Sequence, residues 1–486
     1  MRLLGHSWLA ASVLASLLGG CSCEDTTSAD AARADARPSD LRRPEAGDTT
    51  PPDTGSDRGM QWKRDIGPDP DINLAACADA RPPDGVADSA ASIVATPAIK
   101  WKALLGTGNL GSSAPVQGPD GTLYVTSRAG LHAVSAGGTA KWAIPSPDMW
   151  LDPYPVTLVG SMLIFGSWEG FHGVRPSDGQ PLWSQRVLLP PLDPTAHQSA
   201  TAVGATLAGE FVIAGANHKL FIADTTGNIR VTTPNSAAII HGWFPVVGSD
   251  GSSYFSVIAS PARVASFSVD GVRRWMRSYG PGEGSGILAL GAKGELLIGM
   301  GTHKIAKPYG SALVGVDSSC GSERWRTSFA GIVQYPMVVG LDGTIYLATH
   351  EPQQLLAVRP GGKVAWTISE QTGLWSTTIG PIGADGTIYT IFSDAWSPGG
   401  EPSQVRAYSL AGQELWKLPV PGLFTDGTAV LRNDGMLIFS GMIREGTTDN
   451  TYLIAVQTRS PGLAKSPWPR GRHDNQNTGN QGTPLP

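Results

Sequence analysis

The feature that most restricts how this 486-residue chain can fold is that it repeats itself beyond residue 93. One unit reads Ala114-Pro-Val116, then Pro119-Asp-Gly-Thr-Leu-Tyr-Val125, then Gly130-Leu-His-Ala-Val134, then Gly138-Thr-Ala-Lys-Trp142. Its second part returns as Ser249-Asp-Gly-Ser-Ser-Tyr-Phe255, Leu341-Asp-Gly-Thr-Ile-Tyr-Leu347, Ala384-Asp-Gly-Thr-Ile-Tyr-Thr390 and Asn433-Asp-Gly-Met-Leu-Ile-Phe439. Looser copies stand at Gly160-Ser-Met-Leu-Ile-Phe165, Gly209-Glu-Phe-Val-Ile213 and Lys293-Gly-Glu-Leu-Leu-Ile298, making eight in all. Asp-Gly is expected to supply both positive-φ positions of a tight hairpin turn, and the alternating residues after it form a half-buried strand.

Each unit then places a small residue near the end of its third part: Ala133, Gly173, Ser266, Gly315, Ala357, Ala407 and Ala455, with Ile222 the exception. A small side chain at one strand register lets a bulky group sit against the backbone. The bulky group is expected to be the tryptophan that closes the unit: Trp142, Trp183, Trp275, Trp325, Trp366 and Trp416, with Val231 in that slot where Ile222 replaces the small residue. Closing positions run from Trp101 to Trp468 at intervals of 41 to 52 residues, the span of a four-stranded propeller blade. The expectation is all-β: an eight-bladed β-propeller with four-stranded blades over residues 93–460. The strand of Trp101 should complete the blade of residues 424–457, so that the chain ends pair and no long edge stays open.

Gly173-Val-Arg175-Pro-Ser-Asp-Gly179-Gln-Pro-Leu-Trp183 and Gly315-Val-Asp317-Ser-Ser-Cys-Gly321-Ser-Glu-Arg-Trp325 resemble the tryptophan-docking motif of propellers with pyrroloquinoline-quinone-like repeats, the quinoprotein alcohol dehydrogenase-like superfamily. The resemblance spans roughly residues 95–480 and implies a BamB-like architecture, that of the propeller lipoproteins of the outer-membrane β-barrel assembly machinery. The segment Trp468-Pro-Arg-Gly-Arg-His-Asp-Asn-Gln-Asn-Thr-Gly479 lies outside that pattern and reads as a tail over residues 461–486. Dehydrogenases of the superfamily hold a quinone with calcium, an Asp base and in many members a Cys-Cys clamp. No Cys-Cys occurs here, and Glu169 and Asp394 are the best candidates among the loop acids the repeat leaves over. No cofactor is therefore expected, and pyrroloquinoline quinone with calcium is the weaker alternative.

The first residues carry an address. Arg2 precedes an apolar run, Leu9 to Leu18, too short to span a bilayer. Leu18-Gly19-Gly20-Cys21 resembles a lipobox, which implies a signal peptide over residues 1–20, lipidation at Cys21 and, with Ser22 next, an outer-membrane lipoprotein facing the periplasm or the cell surface. Residues 21–92, rich in Asp, Pro and Ala, have too few large apolar side chains to fold and read as a disordered tether. With Cys21 lipidated, three cysteines remain, Cys23, Cys77 and Cys320, and one bridge, Cys77 to Cys320, is compatible with an oxidising compartment. A net charge of -5 without a basic patch excludes nucleic acid.

Two weaker patterns have bland readings. Gly106-Thr-Gly108-Asn-Leu-Gly111 spells a dinucleotide fingerprint, but no helix is expected after it. His132 and His172 share one repeat slot that is elsewhere mostly apolar, so packing is favoured over a metal. Function is better sought in residues the repeat does not explain, and Trp150, Trp168, Trp243, Trp375 and Trp396 are candidates for a binding rim. The reading that fits is a monomeric, noncatalytic scaffold that binds an envelope protein. The alternatives are a quinone-dependent periplasmic dehydrogenase and a glycan-binding or adhesive surface protein.

Overall fold

The computed structural model describes residues 97–108, 111–145, 155–167, 170–183, 200–206, 209–215, 220–232, 245–257, 262–279, 286–301, 310–333, 335–369, 376–393, 402–425 and 427–485. The chain divides into Met1–Asn73 and Leu74–Pro486, and all described residues belong to the second unit. The signal peptide, Cys21 and the tether lie outside them.

Among the described residues every regular element is a strand. Most strands join in chain order into antiparallel sheets that meander from a first strand to an outer one, as in Val116–Gln117, Leu123–Ser127, Gly130–Val134 and Ala140–Pro145. First strands of neighbouring sheets contact one another, which places them around an axis, as in a β-propeller. The middle strands are buried along their length, whereas the outer strands alternate, as in the exposed and half-buried residues of Ala140–Pro145 and Val364–Ser369. This is the pattern of a sheet stacked on neighbours at both faces and open to solvent only at its outer edge.

Ring closure follows the sequence expectation. Ala98–Thr107 pairs antiparallel with Thr448–Gln457, so the first described strand is the outer strand of the last blade. The expectation of eight four-stranded blades is corrected: the structure has seven complete blades, not eight. Five sheets have four strands and two have five, while the remaining sheet, Thr157–Val159, Met162–Ser167 and Gly170–Val174, stops at three among the described residues. Among the described residues its outer position is represented by the bridge between Val174 and Pro181 and by Leu182 N–H donating to Gly173 O at 2.9 Å. Trp468 is also not on an outer strand, since it bridges to Val339 on a first strand. The interval ending at Trp468 is therefore not a blade interval.

The hairpin turns differ from expectation as well. At Pro119-Asp-Gly only Gly121 is left-handed (φ 79°). Gly121 N–H donates to Gly118 O at 3.0 Å, Gly118 N–H donates to Thr122 O at 2.7 Å, and the Asp120 carboxylate accepts Thr122 N–H at 3.0 Å. This is a three-residue turn closed by a glycine bulge, in which aspartate acts as a side-chain acceptor and keeps an ordinary backbone. In the loose copy Lys293-Gly294 both turn residues have positive φ, 58° and 70°.

Candidate functional site

Two constructions organise the ring: indoles between blades and a polar segment on the axis. The ladder sets each small residue opposite its tryptophan: Ala133 pairs with Trp142, Ser266 with Trp275, Gly315 with Trp325, Ala357 with Trp366, Ala407 with Trp416 and Ala455 with Trp101. At Gly173 a Cβ would come within 2.6 Å of the Trp183 ring, and at Gly315 within 2.2 Å of Trp325. The small slot is thus the floor on which the indole lies.

The other face of each indole meets the next blade. A Cβ on Gly179 would approach Trp142 to 2.9 Å, one on Gly321 would approach Trp275 to 2.7 Å, and one on Gly412 would approach Trp366 to 2.9 Å. Indole N–H groups donate to carbonyls of those same turns: Trp142 to Pro176 O at 3.1 Å, Trp183 to Thr225 O at 3.1 Å, Trp275 to Ser318 O at 3.0 Å and Trp366 to Leu410 O at 2.9 Å. Trp416 lies beside Tyr389 with ring centres 5.9 Å apart and belongs to one buried cluster with Leu437 and Val456 of the last blade. A tyrosine stands beside the indole in several blades, as Tyr124 beside Trp142 with ring centres 5.8 Å apart. Each such wedge removes apolar surface from water and contributes roughly 2–3 kcal/mol.

Three interfaces depart from this scheme, the first being that of Trp101, whose buried indole nitrogen has no hydrogen-bond partner among the described residues. Ile222 pairs directly with Val231 in the ladder, so the oversized slot residue faces the residue that replaces tryptophan. The neighbouring Arg230 donates to Val269 O at 3.4 Å, a carbonyl two residues before Gly271, just as Thr225 O precedes Gly227 and Leu410 O precedes Gly412. A guanidinium thus reaches the acceptor that an indole uses elsewhere. Trp325 donates not to a turn carbonyl but to Glu295 Oε1 at 2.7 Å, and burial pushes the Glu295 carboxyl above its ordinary range.

The axis is occupied by the chain itself. Carbonyls of residues 462–479 accept N–H groups from one blade after another: Ala384 N–H donates to Gly462 O, Val339 to Trp468 O, Ile382 to Pro469 O, Gln117 to Asn475 O, Leu158 to Gln476 O, Ala205 to Thr478 O and Val247 to Gly479 O, all at 2.7–3.0 Å. Gln481 reaches Gly291 O with its side chain at 2.9 Å, and Asn475 reaches Leu431 O at 2.8 Å. First strands have no sheet neighbour on their inner side, and these bonds satisfy N–H groups that would otherwise be buried without partners.

The segment's side chains form a buried polar cluster. Arg470 donates to Ala429 O at 2.9 Å, to Asn477 Oδ1 at 2.6 Å and to Asp474 O. Arg472 donates to Thr157 Oγ1 at 2.9 Å. The Asp474 carboxylate accepts the Gln476 and Thr478 N–H groups at 2.9 and 3.1 Å, lies 3.0 Å from His473 Nδ1 and also accepts the Thr478 hydroxyl. His473 in turn packs against Trp468 with ring centres 5.2 Å apart. Burial lowers the guanidinium of Arg470 to about 10, and burial with Arg470 alongside lowers that of Arg472 to about 9, so both stay charged at neutral pH. Arg472, His473 and Asn477 have left-handed backbones, φ 67°, 73° and 57°, a conformation that non-glycine residues adopt only when their surroundings impose it.

The five proposed rim residues, Trp150, Trp168, Trp243, Trp375 and Trp396, lie outside the described residues, as do Glu169 and Asp394. Cys320 is disulfide-bonded, and Cys21, Cys23 and Cys77 lie outside the described residues. His132 meets Ser127 Oγ at 2.9 Å, His172 stacks on Phe165, and burial lowers both imidazoles. Gly106 lies in the strand Ala98–Thr107, so the dinucleotide fingerprint does not open a helix. Arg470, Arg472 and Asp474 were not singled out by sequence reasoning. The signal that could have found them is three charges within five residues, outside every repeat and beyond the last blade.

Residues 260–480 match the family model described as outer membrane protein assembly factor BamB, a match that runs through the axial segment. No curated protein matches the chain. Among solved structures, BamB from Moraxella catarrhalis is similar with a TM-score of 0.52 at 15% identity, covering 75% of this chain and 98% of that one. The C-terminal WD40 domain of Sif2 gives 0.51 at 11%, covering 76% and 100%, and the Dos1 propeller 0.52 at 9%, covering 76% and 97%. At these identities the structural likenesses establish the β-propeller fold, and the family match gives residues 260–480 a likeness to BamB.

Proposed function

We propose that this chain is a noncatalytic scaffold of the bacterial cell envelope: an outer-membrane lipoprotein, lipidated at Cys21, whose monomeric propeller binds a protein partner engaged in outer-membrane protein assembly. The observation that carries the reading is the occupied axis. Residues 462–481 bond to first strands around the ring, so the space at the centre of the blades is taken by the chain's own backbone. What remains for recognition is the rim and the loop faces, surfaces suited to another protein. The family match over residues 260–480 supports the same reading and points to assembly of outer-membrane proteins as the process served. No quinone and no metal takes part in it.

The test uses the native host. Metabolic labelling with an alkyne fatty acid should mark the wild-type chain and leave Cys21→Ser unmarked. Photo-crosslinking from loop positions of the blades, done in intact cells, should yield a discrete adduct with an outer-membrane assembly component. Absence of lipid labelling defeats the anchor, and crosslinks confined to lipopolysaccharide or other glycans would replace the scaffold with the adhesive reading.

A further inference from the structure

We infer that the axial channel is a peptide-binding site whose resident ligand is the chain's own segment 462–481, and that this segment can leave and be replaced by the same sequence supplied in trans. The inference goes beyond the envelope reading: the rim is the recognition surface while the segment is in place, and the axis becomes a second one when it leaves.

The segment is held as a bound peptide is held. It forms no strand among the described residues; its ladder-type contacts with the blades are single bridges, Gly383 with Leu463, Val339 with Trp468 and Val247 with Asn480. Recognition of its backbone comes from N–H groups of first strands, and recognition of its sequence comes from a few side chains in fixed places. Trp468 is the apolar anchor, buried in the cluster that includes Met337 and Val339. Arg470 is read by Ala429 O, and Asn475 is read from both sides, by Leu431 O at 2.8 Å and Gln117 Oε1 at 3.2 Å. Asn477 Nδ2 donates to Val156 O at 3.1 Å and Asn480 Nδ2 to Ala205 O at 2.9 Å. Backbone bonds for affinity with spaced side-chain pockets for selectivity is the way an open sheet edge takes an extended peptide.

The ring does not need the segment for its own continuity. Closure is made by the pairing of Ala98–Thr107 with Thr448–Gln457, which ends before the segment begins; in the connection Arg459 and Pro461 are exposed, while Ser460 between them is buried and donates to Asp385 Oδ1 at 2.9 Å. Inside the channel the fit is incomplete: the second terminal nitrogen of Arg470 is buried without a hydrogen-bond partner, and Arg472 and His473 hold left-handed backbones. A free copy of the same sequence carries the same strain, so exchange becomes possible only once the resident segment loses the advantage of its covalent tether.

The experiment inserts a specific protease site between Arg459 and Ser460 in the full-length protein, which is folded first and then cut. A fluorescent synthetic peptide of residues 460–486 is added to cut and uncut protein, with anisotropy and size exclusion as readouts. The expected result is saturable uptake by the cut protein, none by the uncut protein, and uptake weakened roughly tenfold to a hundredfold for the peptide carrying Arg470→Ala, as for loss of hydrogen bonds to a buried charge. Retention of the cut segment with no exchange, even in mild urea, would overturn the inference and make the segment a permanent part of the core. Unfolding of the ring on cutting would overturn it as well, as would equal uptake of the Arg470→Ala and wild-type peptides.

Discussion

The indole of Trp101 lies flat on Gly138: a Cβ placed on that glycine would fall 2.6 Å from the ring. Trp101 sits on the outer strand of the last blade and Gly138 on the outer turn of the first, so the wedge that joins successive blades also joins the two ends of the chain. Gly138 has φ 89°, so the position demands glycine both for its backbone and for the ring above it. Trp101→Ala is predicted to cost about 2–4 kcal/mol by the scale for large core truncations, reduced because the ring is only half-buried. Urea unfolding measures the loss, and hydrogen exchange should quicken first in Thr448–Gln457. A variant within 0.5 kcal/mol of wild type would mean that closure rests on the ladder alone.

The interface without an indole gives a second prediction. Ile222 faces Val231 across the ladder, where the other units set a small residue opposite tryptophan. Val231→Trp alone places an indole against a β-branched residue and should destabilise by about 1–3 kcal/mol, the usual result of overpacking. Adding Ile222→Ala restores the pattern of Ala133 and Trp142 and should recover most of that loss, giving a coupling of about 1–3 kcal/mol in a double-mutant cycle. Strict additivity would show that the two substitutions arose independently.

Sequence reasoning reached the blades because their constraints are local and recur. Ala133 and Trp142 declare a register that the ladder then realises, and the strand of Trp101 is legible as the missing edge of the last blade. Other features depend on context that no single unit contains. Pro181 occupies a position where other units keep an N–H, and it pairs with Val174 only through a bridge. Asp120 looks like a left-handed turn residue but acts through its carboxylate, since both turn types accept Asp-Gly. The axial segment was hidden most completely. Arg470-Gly-Arg-His-Asp-Asn-Gln-Asn-Thr478 is polar enough to read as a solvated tail, and it is buried only because a ring of first strands presents unpaired N–H groups that polar backbone and side chains can satisfy.

Glu295 predicts a pH dependence. Its carboxyl is raised by burial, with the Trp325 N–H and Arg324 acting in the opposite direction. A folded-state carboxyl pKa above the unfolded value means that the folded protein holds the proton more tightly, so this group lowers stability as pH rises from the ordinary value of 4.5 through the folded value. Glu295→Gln keeps an acceptor for the indole and removes the ionisation. The variant is expected to match wild type below pH 4.5 and to gain in melting temperature relative to it as pH rises to neutrality. A difference between the two proteins that stays constant with pH would show that the carboxyl ionises without penalty.

Asp474 tests how far the ring relies on its axis. Its carboxylate accepts two backbone N–H groups and the Thr478 hydroxyl, and it stands beside His473 in full burial. It also opposes the charge of Arg470. Asp474→Asn keeps the shape but puts an amide among those groups and withdraws the negative charge from a buried guanidinium, a loss on the order of 3–5 kcal/mol for broken buried pairs. The damage should be confined to what the segment holds: exchange at the Ala205 and Val247 N–H groups, which donate to Thr478 and Gly479 carbonyls, should accelerate, while exchange in the middle strand Gly130–Val134 should follow global stability. If those two amides stay as protected as in wild type, the turn around Asp474 is held by its neighbours and the carboxylate is dispensable to the axis.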